Sequence, residues 1–277
     1  MRNVINDRFT YQKLYRSNVH NDDIVIIRID DYTLDTFWRS DLWMLWFDKW
    51  VHAQVIQNLF EKYNAAVVWV DIVYANPSVL WEADEKKLFD VLETYKDKII
   101  LATRSDKNPH PLCIYSNVRH GYSDIWNQSQ IRLFNTEDIM YQLDIECPQA
   151  WENNEAISTF WEEVIWVYKR NISPLKAEEL EYKLQNFYTQ ATLSLINYFH
   201  NWAINSGTLW YTSYSFADIY AGIWETSQWE TIDLSEKIVL IWEVWTLLHD
   251  RHFTPISRNV MMPWVEIQAN IIQTLLN

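Results

Sequence analysis

Three carboxylates stand at or just after the ends of apolar, β-branched runs. Asp30 closes Asp23-Ile24-Val25-Ile26-Ile27-Arg28-Ile29, Asp71 follows Ala65-Ala66-Val67-Val68-Trp69-Val70, and Glu243 follows Ile238-Val239-Leu240-Ile241-Trp242. In an open α/β sheet, ligands bind beyond the carboxyl ends of parallel strands, where the strand order reverses. Three carboxylates at that edge suit a cation, or an amine or hydroxyl ligand that donates hydrogen bonds to them. The same positions equally suit caps, in which Asp30 and Asp71 bind the backbone of the turns that follow. His52, near a helix start, reads either as a ligand contact or as a packed histidine satisfied by a carboxylate. Glu266 lies in the first turn of the last helix, where its charge complements the helix dipole. The run His249-Asp250-Arg251-His252 holds two imidazoles and a carboxylate within four residues. No cysteine or further histidine stands nearby, so a pairing of Asp250 with Arg251 is expected rather than a zinc site. The expected ligand-binding set is thus Asp30, His52, Asp71, Glu243, Asp250 and Glu266, with no catalytic residue, metal or cofactor.

The elements that must position these groups follow from periodicity. After the strand that ends at Asp30, Val51, Val55, Ile56, Leu59 and Phe60 form a helical stripe over Val51 to Tyr63. A strand over Ala65 to Tyr74, a helix over Ala83 to Tyr95 and a strand over Lys98 to Ala102 complete an alternating series. That order implies right-handed crossovers and an α/β fold, with a mainly parallel or mixed central sheet and helices on both faces. Pro109 to Phe134 reads as hairpin or edge strands, Ile157 to Tyr168 as a helix, and Leu175 to Leu184 as a polar helix or insertion. Thr192 to Tyr198 reads as a strand. Ser215-Phe216-Ala217-Asp218 resembles a capping box that opens a short helix stopping at Gly222. A strand over Lys237 to Ile241 and a helix from Trp264 to Leu276 close the chain. No repeat or linker divides it, so residues 1–277 read as a single domain.

Composition narrows the function. The chain is 49% hydrophobic and 22% charged, which fits a globular core. Its net charge of −14 excludes nucleic acid as the expected partner, because phosphate binding needs clustered Lys and Arg. No run reaches the length of a membrane helix, and the first residues do not form a secretory signal. Cys113 and Cys147 could pair in an oxidising compartment, but without a compartment signal they read rather as buried small hydrophobes. No Gly-x-Ser-x-Gly, phosphate loop or His-Glu-x-x-His is present, so the chain does not read as an enzyme.

The aromatic count is unusual. There are 17 Trp and 3 Gly, against roughly 19 glycines expected at the usual frequency. Many tryptophans fall where glycine belongs. Trp242 and Trp245 follow a strand, Trp224 and Trp229 bracket a polar connection, and Trp38, Trp43 and Trp46 surround a loop, while Trp69 lies inside a buried run. Reading UGA as glycine, as some bacterial lineages do, would account for them. The alternative is a Trp-rich carbohydrate-binding module. A nucleotide- or sugar-binding α/β enzyme domain is a further alternative, since glycines at 242 and 245 would give Gly-x-x-Gly after a strand.

With tryptophan read as glycine, Ile238 to Asp250 becomes Ile-Val-Leu-Ile-Gly-Glu-Val-Gly-Thr-Leu-Leu-His-Asp, followed by Thr254-Pro255. Met262 to Leu276 becomes Met-Pro-Gly-Val-Glu-Ile-Gln-Ala-Asn-Ile-Ile-Gln-Thr-Leu-Leu. These segments resemble the closing motifs of the second class of CHASE domain. Asp23 to Asp31 is similar to that family's first strand, Val51-His52-Ala53 to its helix start, Val67 to Ile72 to its second strand, and Tyr214 to Gly222 to a further motif. Gln268 departs from a usual His, and Lys49 from a common Arg. The resemblance implies an extracytoplasmic, ligand-sensing domain of a bacterial receptor. It also implies attachment to the membrane through flanking helices absent from this chain, a cytoplasmic cyclase or kinase output, an unidentified small-molecule ligand, and signalling as a possible homodimer.

Overall fold

Six strands pair side by side in one direction, and the apolar runs explain why. The computed structural model describes residues 22–37, 49–74, 82–103, 115, 117–122, 133–135, 159–188, 193–195, 211–224, 231–243, 251–252 and 262–277. Strands β1 (Ile24–Ile29), β2 (Val67–Val70), β3 (Ile99–Thr103), β4 (Arg119–Tyr122), β7 (Thr212–Ser215) and β8 (Ile238–Glu243) form a sheet of order β4-β3-β2-β8-β1-β7. Every pairing in it is parallel. β2 is buried at every position, because a central strand of a sheet covered on both faces must be apolar on both sides.

Helices cover both faces. Val25, Ile27 and Ile29 point into one apolar layer with α2 (Lys49–Glu61), α3 (Glu82–Thr94) and α6 (Phe216–Ala221). Ile24 and Ile26 point into the other, with α4 (Phe160–Asn171), α5 (Pro174–Tyr188) and α7 (Trp264–Leu276). The protein is therefore a single-domain α/β fold, as the alternating pattern predicts. A short helix α1 (Asp31–Phe37) follows β1. Two small antiparallel pairs, β5 (Leu133–Asn135) with β6 (Leu193–Leu195) and β9 (Arg251–His252) with β10 (Met262–Pro263), stand outside the main sheet.

Several boundaries differ from the sequence reading, each for a local reason. The first long helix stops at Glu61 rather than Tyr63, and Asn64 takes a left-handed φ of 58° that lets the Ala65 N–H bond the Leu59 carbonyl at 2.9 Å. Within Pro109 to Phe134, where hairpin or edge strands are expected, β4 is an edge strand, but it pairs parallel to β3 and so forms no hairpin with it. The strand expected over Thr192 to Tyr198 belongs to the small β5–β6 pair. Ser215 stands at the N-cap of α6 without making a side-chain cap bond. Its Oγ is engaged instead by Asp30 at 2.9 Å, and the Ala217 N–H is taken by Thr33 Oγ1 at 3.3 Å. Gly222 does stop the helix, at φ 67° and ψ 38°, and the Ile223 N–H closes back on the Asp218 carbonyl.

Two glycines are fixed by geometry. Gly222 needs the left-handed region, and at Gly121 a Cβ would lie 2.4 Å from Phe160 Cα, so α4 presses directly on the edge of the sheet. Trp69, Trp161, Trp242 and Trp264 are buried, whereas Trp166 and Trp224 are exposed. Among the described residues, positive φ belongs to Asn64, Glu236 and Gly222. At Trp69 and Trp242 the glycine expectation therefore rests on close packing rather than on a left-handed backbone. Cys113 and Cys147 lie outside the described residues.

Candidate functional site

The carboxyl ends of the parallel strands form one crest, and the helix that follows β2 brings its first turn back to it. β1, β8 and β2 are neighbours, with Ile29 opposite Glu243 and Val70 opposite Ile241, so Asp30, Glu243 and Asp71 come to adjacent strand ends as the sequence pattern implies. Asp30 acts there as a cap. Its Oδ1 accepts the Thr33 N–H at 3.0 Å and the Thr33 hydroxyl at 2.8 Å, and the Leu34 N–H bonds its carbonyl, which starts α1. The Arg28 guanidinium lies 3.6 Å from Asp30 Oδ2. Burial and the nearby Asp30 charge push the Asp218 carboxyl up. Asp71 continues the ladder through its backbone N–H, 3.0 Å from the Ile241 carbonyl.

His52 sits deeper, in the first turns of α2. Its Nδ1 is 3.1 Å from the Tyr74 hydroxyl, and its ring meets Tyr74 and Phe216 edge-on. Burial lowers its pKa to about 4, opposed by the Asp84 charge and reinforced by Lys49, so the ring is neutral near pH 7. Burial pushes the Tyr74 hydroxyl far up, which keeps it protonated.

The densest polar cluster at the crest is one that residue-by-residue reading missed. Lys49, Asp84, Tyr74 and Tyr115 are all buried. Asp84 and Glu85, in the first turn of α3, each meet α2. Asp84 accepts the Lys49 N–H at 3.0 Å and the Trp50 N–H at 2.5 Å, which places a carboxylate against the positive end of α2. Glu85 receives the Lys49 ammonium on both oxygens, each at 2.6 Å, and the Tyr115 hydroxyl on Oε1. Lys49 Nζ also lies 3.4 Å from the Tyr115 hydroxyl and 5.4 Å from the centre of its ring. Burial first, and then the Glu85 carboxylate, drive the Tyr115 hydroxyl far above the ordinary tyrosine range. The available signal was the sequence Glu82-Ala83-Asp84-Glu85 opening a helix, which on its own reads as an acidic, solvated first turn.

The other expected residues do not join this cluster. Glu266 is buried in α7, in the opposite layer beneath the sheet. Its charge acts on Tyr211, whose hydroxyl donates to Gln273 Oε1 at 2.6 Å. Asp250 lies outside the described residues, as does His249, while His252 packs on Trp264 with ring centres 5.0 Å apart. Among the described residues, no group of three or more His, Cys, Asp or Glu side chains could hold a metal ion. Among them too, no helix is long and apolar enough to cross a membrane.

The crest therefore gathers a buried lysine, two tyrosine hydroxyls and a neutral histidine, tied to one another and to Glu85. No curated protein and no solved structure matches the chain. A family model does, over residues 2–277, and its description is CHASE2 domain. The match covers the parallel sheet, both helical layers and the crest, and the chain belongs to the CHASE2 family of extracellular sensory domains of cyclases and kinases.

Proposed function

We propose that this chain is the extracytoplasmic ligand-sensing domain of a bacterial transmembrane receptor. Flanking membrane helices lead its signal to a cytoplasmic adenylate or diguanylate cyclase, histidine kinase or Ser/Thr kinase, and the receptor works as a homodimer. The observation that carries this reading is the family match along the whole chain, on a fold whose strand ends gather a buried polar cluster. A small molecule binds at that crest, near Asp30, His52, Asp71 and Glu243. Asp250 and Glu266 remain candidates for the same ligand-sensing role. The test is the complete gene and its product. Hydrophobic helices on both sides of the domain and an output domain beyond them are expected, and the output activity should respond to substitutions at the crest. An open reading frame that encodes neither helices nor an output domain would refute the reading.

The same proposal includes glycine at most of the tryptophan positions of the natural protein. Composition supports it, and so does Trp69, an indole enclosed in a central parallel strand whose Nε1 finds no hydrogen-bond partner. Mass spectrometry of the protein from its own host reads glycine or tryptophan at each position directly, and tryptophan at 69 and 242 would end the idea. The exposed indoles Trp166 and Trp224 stand on different layers of the fold, α4 and the end of α6. Among the described residues, the exposed indoles thus share no sugar-stacking face.

A further inference from the structure

Glu85 is held at the crest as a ligand would be held. Beyond its Cβ, a glutamate side chain is a propionate in all but its attachment. The two oxygens of this one are gripped by the Lys49 ammonium and by the Tyr115 hydroxyl. A second feature, on the same layer of the fold, is a buried hydroxyl that lacks an acceptor. Thr103 ends β3 completely buried, and its Oγ1 has no hydrogen-bond partner. It alternates with Leu101 and Ile99, whose side chains belong to the α2–α3 layer, so the pleat puts its hydroxyl on the layer that holds Tyr74, Tyr115 and α3. An unsatisfied buried hydroxyl is unfavourable, and a ligand oxygen would satisfy it.

We propose that Glu85 is a built-in pseudo-ligand, and that the crest binds a small aliphatic carboxylate of propionate size in its place. This rests on the sensory reading above and names the ligand class for it. The exchange conserves charge at Lys49, since one carboxylate replaces another. The Glu85 side chain is already 13% exposed, so its carboxylate has a short path to water. Asp84 stays on the end of α2 and keeps the helix capped. α3 is otherwise anchored in the core by Leu88 and Leu92 alone among its fully buried apolar residues, so release of Glu85 loosens its first turn. Ligand entry thereby removes one of the two ties between α3 and α2, that of Glu85 to Lys49, and leaves that of Asp84.

The 277-residue chain is titrated with sodium propionate, with propionamide and sodium chloride as controls, by calorimetry and by amide hydrogen exchange. Propionate binds and speeds exchange in the first turn of α3, and neither control does so. Glu85→Ala removes the tethered competitor and tightens propionate binding by about tenfold or more. Thr103→Val weakens it by roughly three- to tenfold, the equivalent of one neutral hydrogen bond, without lowering the melting temperature. That combination would not arise if Thr103 were merely structural. Lys49→Met abolishes binding. Should Glu85→Ala fail to fold, the exchange experiment on the unaltered chain decides. Absence of binding to the unaltered chain, equal binding of propionamide, or added protection of the α3 turn overturns the proposal. If Lys49→Met changes the output of the full receptor while propionate never binds, the ligand class falls and the sensory role stands. An output indifferent to both Glu85→Ala and Lys49→Met counts against both.

Discussion

Replacing Asp84 by alanine tests whether the crest is held together by one carboxylate at the end of α2. Asp84 is 5% exposed and accepts two backbone N–H groups of α2, at 3.0 and 2.5 Å. A lost cap costs about 1 kcal/mol at an exposed helix end, and a charge-assisted, buried bond about 1.5–3 kcal/mol. Two bonds to one carboxylate share a single desolvation cost, which alanine removes, so the expected net loss is about 3 kcal/mol. Asp84→Asn keeps the shape and one carbonyl acceptor but turns an amide donor toward the second N–H, for a loss of about 1.5 kcal/mol. Urea unfolding followed by circular dichroism should show midpoints ordered native, Asn, Ala with a common slope. A slope of about 3 kcal/mol/M places the alanine midpoint roughly 1 M lower. The same variant carries an internal check. Asp84 is the charge that opposes desolvation at His52, so its removal drives the His52 titration below its value of about 4. A loss under about 0.5 kcal/mol for alanine, or a His52 titration that does not fall, refutes the reasoning.

The remaining expectations concern pH and the two constrained glycines. Burial holds His52 and His120 at about 4 against 6.5 in the unfolded chain, with the Val118 backbone opposing at His120 without reaching hydrogen-bond geometry. The unfolded chain then takes up protons first, so stability is full above pH 6.5 and is lost between 6.5 and about 4, by up to about 3 kcal/mol per histidine. Urea midpoints across that range should fall, and His120→Leu should halve the fall; a flat profile in the native chain contradicts this. Gly222→Ala forces a side chain to φ 67° and sets its Cβ 2.2 Å from Lys62 Nζ, a flexible end that can move, so the loss should be about 1 kcal/mol and Gly222→Asn should cost less. Gly121→Ala meets backbone rather than a flexible tip, at 2.4 Å from Phe160 Cα, and should cost about 2–3 kcal/mol, read as a lower melting temperature; a cost no greater than at Gly222 would mean that α4 is free to retreat.

Where the fold was legible, burial on both faces made it so. β2 is apolar throughout, and β1, β3 and β8 are apolar except for Arg28, Thr103 and Glu243 near their carboxyl ends, because inner strands of a covered parallel sheet leave no polar side, and such runs stand out in a sequence. β7, Thr-Ser-Tyr-Ser, occupies an edge and is buried only at Ser215, so nothing in its composition marks a strand. α1 buries only Thr33 and Leu34, and it starts because of the Asp30 cap rather than an apolar stripe. The site divides in the same way. Asp30, Asp71 and Glu243 were legible because a strand end is a sequence landmark. Asp84 and Glu85 were not, because an acidic first turn satisfies its own helix dipole and gives no hint that a second helix has come to meet it. Tyr115 reaches Glu85 from thirty positions away, a juxtaposition that only the parallel crossover creates.

The question of tryptophan against glycine and the question of the site fall on opposite sides of the sheet. Trp69, Trp161, Trp242 and Trp264 all belong to the layer of α4, α5 and α7, where Trp69 stacks on Phe160 at 4.4 Å. The layer of α2, α3 and α6, which carries the crest cluster, has no fully buried tryptophan among its described residues. Among the described residues, Trp50 contributes to the cluster through its backbone N–H, a group that glycine also possesses. Among the described residues, decoding therefore acts on fully buried packing in one layer, and in the other on the half-buried Trp50 and the exposed Trp224, without removing a side-chain donor or acceptor of the cluster. The strands between the layers are buried on both sides, so a change in side-chain volume at Trp69 reaches the crest only by moving β2 itself. β2 is held by β3 on one flank and β8 on the other, and such a movement would have to break ladders on both.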